Sequence, residues 1–136
     1  METFTHKLPL QLRFNDIDMM GHVNNAVIME FFDYGKMKYF DAAKIYVEKE
    51  ETTIVIVHYE VDFLGQITRN DNPEVCTKVT RFGNKSLEVL QHIICGDQIK
   101  ATCKTVMSGY NRIHNSSAVI PESIKTAIKN YENTNI

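Results

Sequence analysis

Between Lys7 and Phe14 the apolar residues Leu8, Leu10, Leu12 and Phe14 alternate with Lys7, Pro9, Gln11 and Arg13. That period of two predicts a strand with one wet face. Asn15 to Gly21 carries two aspartates, a methionine pair and a glycine, a composition that ends the strand in a loop. From His22 to about Lys44 no proline intervenes, and Val23, Val27, Ile28, Phe31, Phe32, Tyr39 and Phe40 follow helical spacing, predicting one long helix. Its first half, Ala26 to Phe32, is apolar nearly all round, so the helix is expected to be wrapped by other elements. Gly35 in mid-helix costs about 1 kcal/mol relative to alanine, which close backbone contact would offset.

After the charged stretch Glu48-Lys49-Glu50-Glu51 come four runs rich in Val, Ile, Thr and aromatic residues: Thr53 to Phe63, Glu74 to Phe82, Ser86 to Cys95 and Gln98 to Asn111. Turn residues join the four, at Arg69 to Pro73, Gly83 to Lys85 and Gly96-Asp97. The two short connections predict antiparallel hairpins. Pro121-Glu122 opens a second helix with Ile124, Ala127, Ile128 and Tyr131 on one face, and the polar tail Asn130 to Ile136 is expected to fray. The order β, long helix, four β, short helix predicts an α+β domain over residues 1–136, with an antiparallel sheet of about five strands curled around the long helix. The open edges of such a sheet predict pairing with a second copy, as a homodimer or homotetramer.

Composition narrows the partners. With 15 Lys+Arg against 17 Asp+Glu the formal charge is -2, without the basic excess of a nucleic-acid binder. The longest apolar runs, such as Ile54 to Val57, are far too short for a membrane span, and the first residues lack an apolar signal core. A cytoplasmic protein with no membrane partner is expected. The three cysteines, Cys76, Cys95 and Cys103, form no C-x-x-C pair and read as free thiols inside strands. The five histidines are dispersed, and no metal centre is expected.

The chemistry concentrates in Arg13-Phe14-Asn15-Asp16-Ile17-Asp18-Met19-Met20-Gly21-His22-Val23-Asn24-Asn25. Within the ten residues from Asp16 to Asn25, two carboxylates, an imidazole and two amides stand where a loop enters a helix. A helix start offers unpaired N–H groups and the positive end of the dipole, suited to a developing oxyanion. A carboxylate held beside it can attack or activate water. Asp16 reads as a turn or cap residue holding the loop. Asp18 stands apart because Met19 and Met20 follow it, a pair suited to a pocket wall or interface. Asn24 and Asn25 are poor helix formers whose side chains suit local hydrogen bonds. Glu30 either faces a subunit seam or solvent, or enters the pocket as an alternative carboxylate.

These residues, Leu12 to Asn25, resemble the signature of the hotdog-fold acyl-CoA thioesterases of the 4-hydroxybenzoyl-CoA thioesterase type. The His22-Val23-Asn24-Asn25 stretch is also similar to the acyl-carrier-protein thioesterases. The resemblance continues at Tyr59 to Leu64, Gly83 to Ser86 and Ile120-Pro121, covering roughly residues 7 to 128. It implies a hotdog fold, interface active sites and a thioester hydrolase needing no cofactor. Asp18 would be nucleophile or general base, the N–H groups near Val23 to Asn25 would polarise the carbonyl, and Asn24 or Asn25 would orient the site. The carrier-protein branch uses a histidine matching His22 and an asparagine two residues earlier; Met20 stands there, which favours the simpler carboxylate mechanism with His22 as helper or bystander. Met19, Met20 and Phe63 are candidate pocket residues, and Arg81, Lys85 and Ser86 are candidates for the coenzyme A phosphates or plain turn residues. The expected substrate is an acyl-CoA or acyl-carrier-protein thioester. The alternatives are a non-catalytic module that binds such thioesters and a hotdog hydratase or dehydratase.

Overall fold

The computed structural model describes residues 2–47, 50–134 and 136, so Glu48 and Lys49 of the charged stretch and Asn135 of the tail lie outside the described residues. The elements are β1 (His6–Pro9), α1 (Asn25–Ala42), β2 (Thr52–Phe63), β3 (Pro73–Phe82), β4 (Ser86–Cys95), β5 (Gln98–Asn111), β6 (Ser116–Ala118) and α2 (Glu122–Glu132). The sheet is antiparallel, in the order β1-β3-β4-β5-β2, with β6 pairing the end of β5. The expected α+β architecture is present: one sheet face packs on the helices and the other is more exposed, as the alternating burial along β4 and β5 records.

Three local expectations are corrected. The first strand ends at Pro9 rather than Phe14. Leu8, Leu10 and Leu12 still face the core, but Phe14 begins a 3-10 turn, Phe14–Asp16, and is 90% exposed. The long helix starts at Asn25, not His22, because the chain at 22–23 is held extended by neighbouring backbone. The tail is helical through Glu132, anchored by Tyr131 and Glu132. The three-residue strand β6 gave no periodic signal, being too short and polar to show one.

Two apolar clusters fill the interior. One gathers Leu10, Val23, Ile28, Phe32, Ile67, Val75, Ile93 and Ala101 near the start of α1. The other gathers Tyr39, Val79, Leu87, Val89, Met107, Ile124 and Ile128 near its end. Between them runs a polar seam. Lys36 lies on α1 between Phe32 and Tyr39, Thr77 on β3 between Val75 and Val79, and Gln91 on β4 between Val89 and Ile93, all buried. Gln91 donates to the Phe32 carbonyl (2.8 Å) and the Thr77 hydroxyl (3.0 Å), and its carbonyl oxygen accepts from Lys36 Nζ (3.1 Å). Lys36 also faces Asp33 at 3.4 Å and the Tyr59 ring, while burial lowers its pKa. Gly35 lets α1 approach here: a Cβ at this position would lie 2.8 Å from Val75 Cγ2 and 2.9 Å from Gln91 Nε2. The early helix is less enclosed than its composition predicts, for only Ile28 and Phe32 of residues 26–32 are fully buried in the single chain. Cys76 and Cys103 are buried free thiols and Cys95 is half-buried.

Against the second cluster, His6 packs edge-on to Tyr39 and Tyr131, and Glu132 accepts from the Tyr39 hydroxyl (2.6 Å) and the Val79 N–H (3.2 Å). The buried His6 Nδ1 has no hydrogen-bond partner among the described residues. Burial lowers the His6 pKa, outweighing the nearby Glu132 carboxylate, and burial also lowers that of His92. An unfolded chain binds these protons below about pH 6.5, whereas the folded chain resists them, so stability falls as pH drops through that value toward the lower folded pKa. We predict that the melting temperature declines between pH 7 and pH 5, and that His6→Phe reduces the decline. An identical pH profile in the variant would contradict this.

Candidate active site

The loop before α1 is a small three-stranded patch. Asp18 and His22 exchange backbone contact (Asp18 N–H to His22 carbonyl, 2.8 Å), Ile17 bridges Val23, His22 bridges Thr68, and the Val23 N–H donates to the Ile67 carbonyl at 2.7 Å. Ile17, Val23 and Ile67 pack in the core cluster. Alternation therefore sets Asp18, His22 and Thr68 side by side on the opposite face. Gly21 closes the loop with φ 80, a left-handed conformation that glycine adopts without a Cβ penalty.

The two aspartates divide the work. Asp16 is buried, accepting from the Arg13 N–H (2.8 Å) and from Arg13 Nε and Nη2 (3.3 and 2.9 Å), while its carbonyl accepts from Asn24 N–H. Burial opposes its charge, but the Arg13 bonds outweigh burial and hold the carboxyl below the usual carboxylate range. Asp18 is exposed. Its Oδ1 accepts from the N–H groups of Met20 (2.9 Å) and His22 (3.1 Å), while Oδ2 has no partner among the described residues. It lines a cavity of about 440 Å³ with Leu12, Arg13, Phe14, Met19 and Arg69. Half of the carboxylate thus ties its own loop, and half is free beside a cavity.

The helix start differs from the expectation. The Val23 and Asn24 N–H groups, expected as carbonyl-polarising donors, are taken by the Ile67 and Asp16 carbonyls. Asn24 is the N-cap, its Oδ1 accepting from Ala26 N–H at 2.8 Å, so its side chain is already engaged. Asn25 opens the helix, and its N–H finds no acceptor among the described residues, as a first-turn donor should. Asn25 lines a cleft of about 140 Å³ with Ile28, Phe63, Gly65, Gln66 and Lys100. The His22 imidazole is half-buried and makes no hydrogen bond among the described residues. Met20 is exposed and borders neither space; Glu30 is also exposed.

Arg81, Lys85 and Ser86 are not brought to Asp18. They flank the β3–β4 hairpin, where Arg81 pairs Glu88, whereas the Asp18 loop lies by the Pro73 end of β3. Arg81 lies eight positions along the strand from Pro73, about 26 Å. Two basic residues beside the cavities, Arg69 and Lys100, escaped the sequence reading because neither belongs to a motif; the turn position of Arg69 was their only signal.

Solved structures share this architecture. A thioesterase from Thermus thermophilus, complexed with coenzyme A and Zn, superposes with TM-score 0.88 over all of both chains, at 26% identity. The 1,4-dihydroxy-2-naphthoyl-CoA thioesterase Slr0204 from Synechocystis gives TM-score 0.81, covering 90% of this chain and 93% of its own, and at 16% identity shares the fold alone. The sequence family described as the thioesterase-like superfamily matches residues 12–128. The chain belongs to the thioesterase-like superfamily.

As a thioesterase-like protein it also resembles the uncharacterized protein YsmA of Bacillus subtilis (strain 168), at 27% identity over 78 residues. That match covers 57% of this chain and 53% of YsmA, so it spans about half the length of that relative. The thioesterase-like domain has no helix among its described residues that is long and apolar enough to cross a membrane, and no cluster of three His, Cys, Asp or Glu positioned for a metal ion.

Proposed function

We propose that this thioesterase-like protein hydrolyses an acyl-CoA thioester to the free acid and coenzyme A, with Asp18 as the reacting carboxylate. One observation carries the reading: Asp18 Oδ1 is fixed by two loop N–H groups while Oδ2 is unpartnered among the described residues, beside the 440 Å³ cavity. As nucleophile, the carboxylate would form an Asp18–acyl anhydride as the C–S bond breaks, and water would then release the acid. As general base, it would take a proton from water as the water oxygen attacks, and the proton would pass to the departing thiolate. Either route develops negative charge on the carbonyl oxygen. The Asn25 N–H at the positive end of α1 is the donor suited to it, provided the carbonyl lies between the Asp18 cavity and the Asn25 cleft, and one well-aimed donor contributes about 2.7–4 kcal/mol. The coenzyme A complex of the Thermus thermophilus thioesterase supports the choice of thiol.

The reading includes a homodimer built along β2. This edge strand exposes Ile56, Val57 and Tyr59, an unprotected edge suited to pairing with its own copy. A two-fold axis runs the paired strands antiparallel. It would thus turn the Thr52 end of one copy, with its β3–β4 hairpin, toward the site end of the other. Arg81, Lys85 and Ser86 would then serve the nucleotide from across the interface.

The test is release of free thiol from an acyl-CoA panel spanning short, long and aromatic acyl groups. Turnover above the buffer rate is expected for at least one. Tight binding with no thiol release would instead assign a holding module, a reading favoured by the loop-tying role of Asp18 Oδ1. Hydration of an enoyl-CoA without thiol release would assign a hydratase.

A further inference from the structure

Arg69 is the feature of the cavity that the hydrolytic step does not use. It stands in the tight turn Thr68 to Asp71, where the Asp71 carboxylate accepts from the Thr68 N–H (2.8 Å) and hydroxyl (3.3 Å) and the Asp71 N–H donates to the Thr68 carbonyl (3.0 Å). Thr68 is itself bridged to His22. The backbone under Arg69 is therefore fixed to the patch that carries Asp18. The neighbouring Asp71 carboxylate is engaged by Thr68, and the Arg69 guanidinium has no hydrogen bond or ion pair among the described residues. A free guanidinium fork on a rigid mount at a cavity is a site for a phosphate or carboxylate.

Distance selects which anion. Asp18 and Thr68 sit on the outer members of three adjacent extended segments, two strand spacings or about 10 Å apart, and the long Arg69 side chain extends beyond. The pantetheine arm, from thioester sulfur to its first phosphate, matches about four extended residues, roughly 14 Å. A carboxylate on a short acyl group would fall well short of that span. Across the cavity, Arg13 uses two guanidinium nitrogens on Asp16, and its third has no partner among the described residues. Leu12, Ile17 and the exposed Phe14 supply apolar wall for the gem-dimethyl segment of the arm.

We propose that Arg69, assisted by Arg13, seats the phosphate at the base of a phosphopantetheine arm, with the arm lying in the 440 Å³ cavity and its sulfur at Asp18. The proposal rests on the thioesterase reading and adds a recognition site to it. That phosphate occurs in coenzyme A, as half of a pyrophosphate, and on a carrier protein, as a phosphodiester to serine.

The experiment is calorimetric titration of the full chain with pantetheine, 4′-phosphopantetheine, coenzyme A and a holo-acyl carrier protein, using wild type, Arg69→Gln and Arg69→Lys. Wild type is expected to bind 4′-phosphopantetheine about tenfold more tightly than pantetheine, the gain of one charge-assisted phosphate contact. Arg69→Gln should abolish that preference without changing pantetheine affinity, and Arg69→Lys should retain part of it. Preferential binding of coenzyme A or of the carrier protein identifies the source of the phosphate, and either supports the site. Equal affinity for pantetheine and phosphopantetheine in wild type, an unchanged preference in Arg69→Gln, or no binding of any of the four overturns it. Thiol release from the acyl-CoA panel is measured on the same variants. Turnover that ignores Arg69 sinks the phosphate seat alone, whereas absence of turnover in wild type sinks the hydrolase.

Discussion

Asp18→Asn is expected to lower kcat for acyl-CoA hydrolysis by about 10²–10⁴ with the melting temperature unchanged. The substitution separates the two duties of this side chain. An asparagine Oδ1 still accepts from the Met20 and His22 N–H groups, so the loop keeps its shape. The amide nitrogen that replaces Oδ2 neither attacks a carbonyl nor takes a proton from water. Asp18→Ala should match Asp18→Asn in lost rate but also loosen the loop, seen as faster amide exchange at Met20 and His22. A folded Asp18→Asn variant with wild-type turnover would remove Asp18 from the chemistry.

The largest expected effect on stability belongs to Gln91→Leu, a loss of about 3 kcal/mol or roughly 10 °C in melting temperature. Gln91 is fully buried, and its carbonyl oxygen accepts from the Lys36 ammonium, itself 3% exposed. Leucine fills a similar volume but leaves the ammonium facing hydrocarbon, with Asp33, the Tyr59 ring and the Cys103 thiol beside it. Adding Lys36→Met should restore part of the loss, because exchanging both members of a buried polar pair for apolar ones is far milder than orphaning one. Chemical denaturation of the two single variants and the double variant measures the coupling. Strictly additive losses would show that Lys36 and Gln91 do not depend on each other.

Much of the architecture is legible in residue periodicity, and the failures share one cause. The runs that became β2 to β5 are continuous in β-branched and aromatic residues, and their ends fall within a residue of the observed strands. His22 and Val23 carry the helical spacing of the segment after them, yet they are held extended by Thr68 and Ile67, more than forty positions along the chain. Local pattern carries no record of such partners, which moved the helix start by three residues and left different N–H groups free. Lys36 shows the same limit: it occupies the buried stripe four residues after Phe32, but only the tertiary partner Gln91 explains a lysine there. In the candidate site, the motif offers Asp18, His22, Asn24 and Asn25 together, and burial distinguishes Asp16 as the anchor. Arg69 required the folded turn, since an isolated arginine in a polar connection has no distinguishing neighbours.

The polar seam also governs precision at a distance. Lys36 follows Asn25 by eleven helical residues, about 17 Å along the axis. Sliding α1 by one turn would thrust its ammonium among Val79 and Leu87 and bring an apolar side chain to the Gln91 carbonyl. Greasy surfaces alone tolerate small slippage; an indexed contact in mid-helix does not. The helix thus behaves as a rod pinned at its middle, and accuracy at its exposed tip is inherited from an interior lysine that no ligand touches.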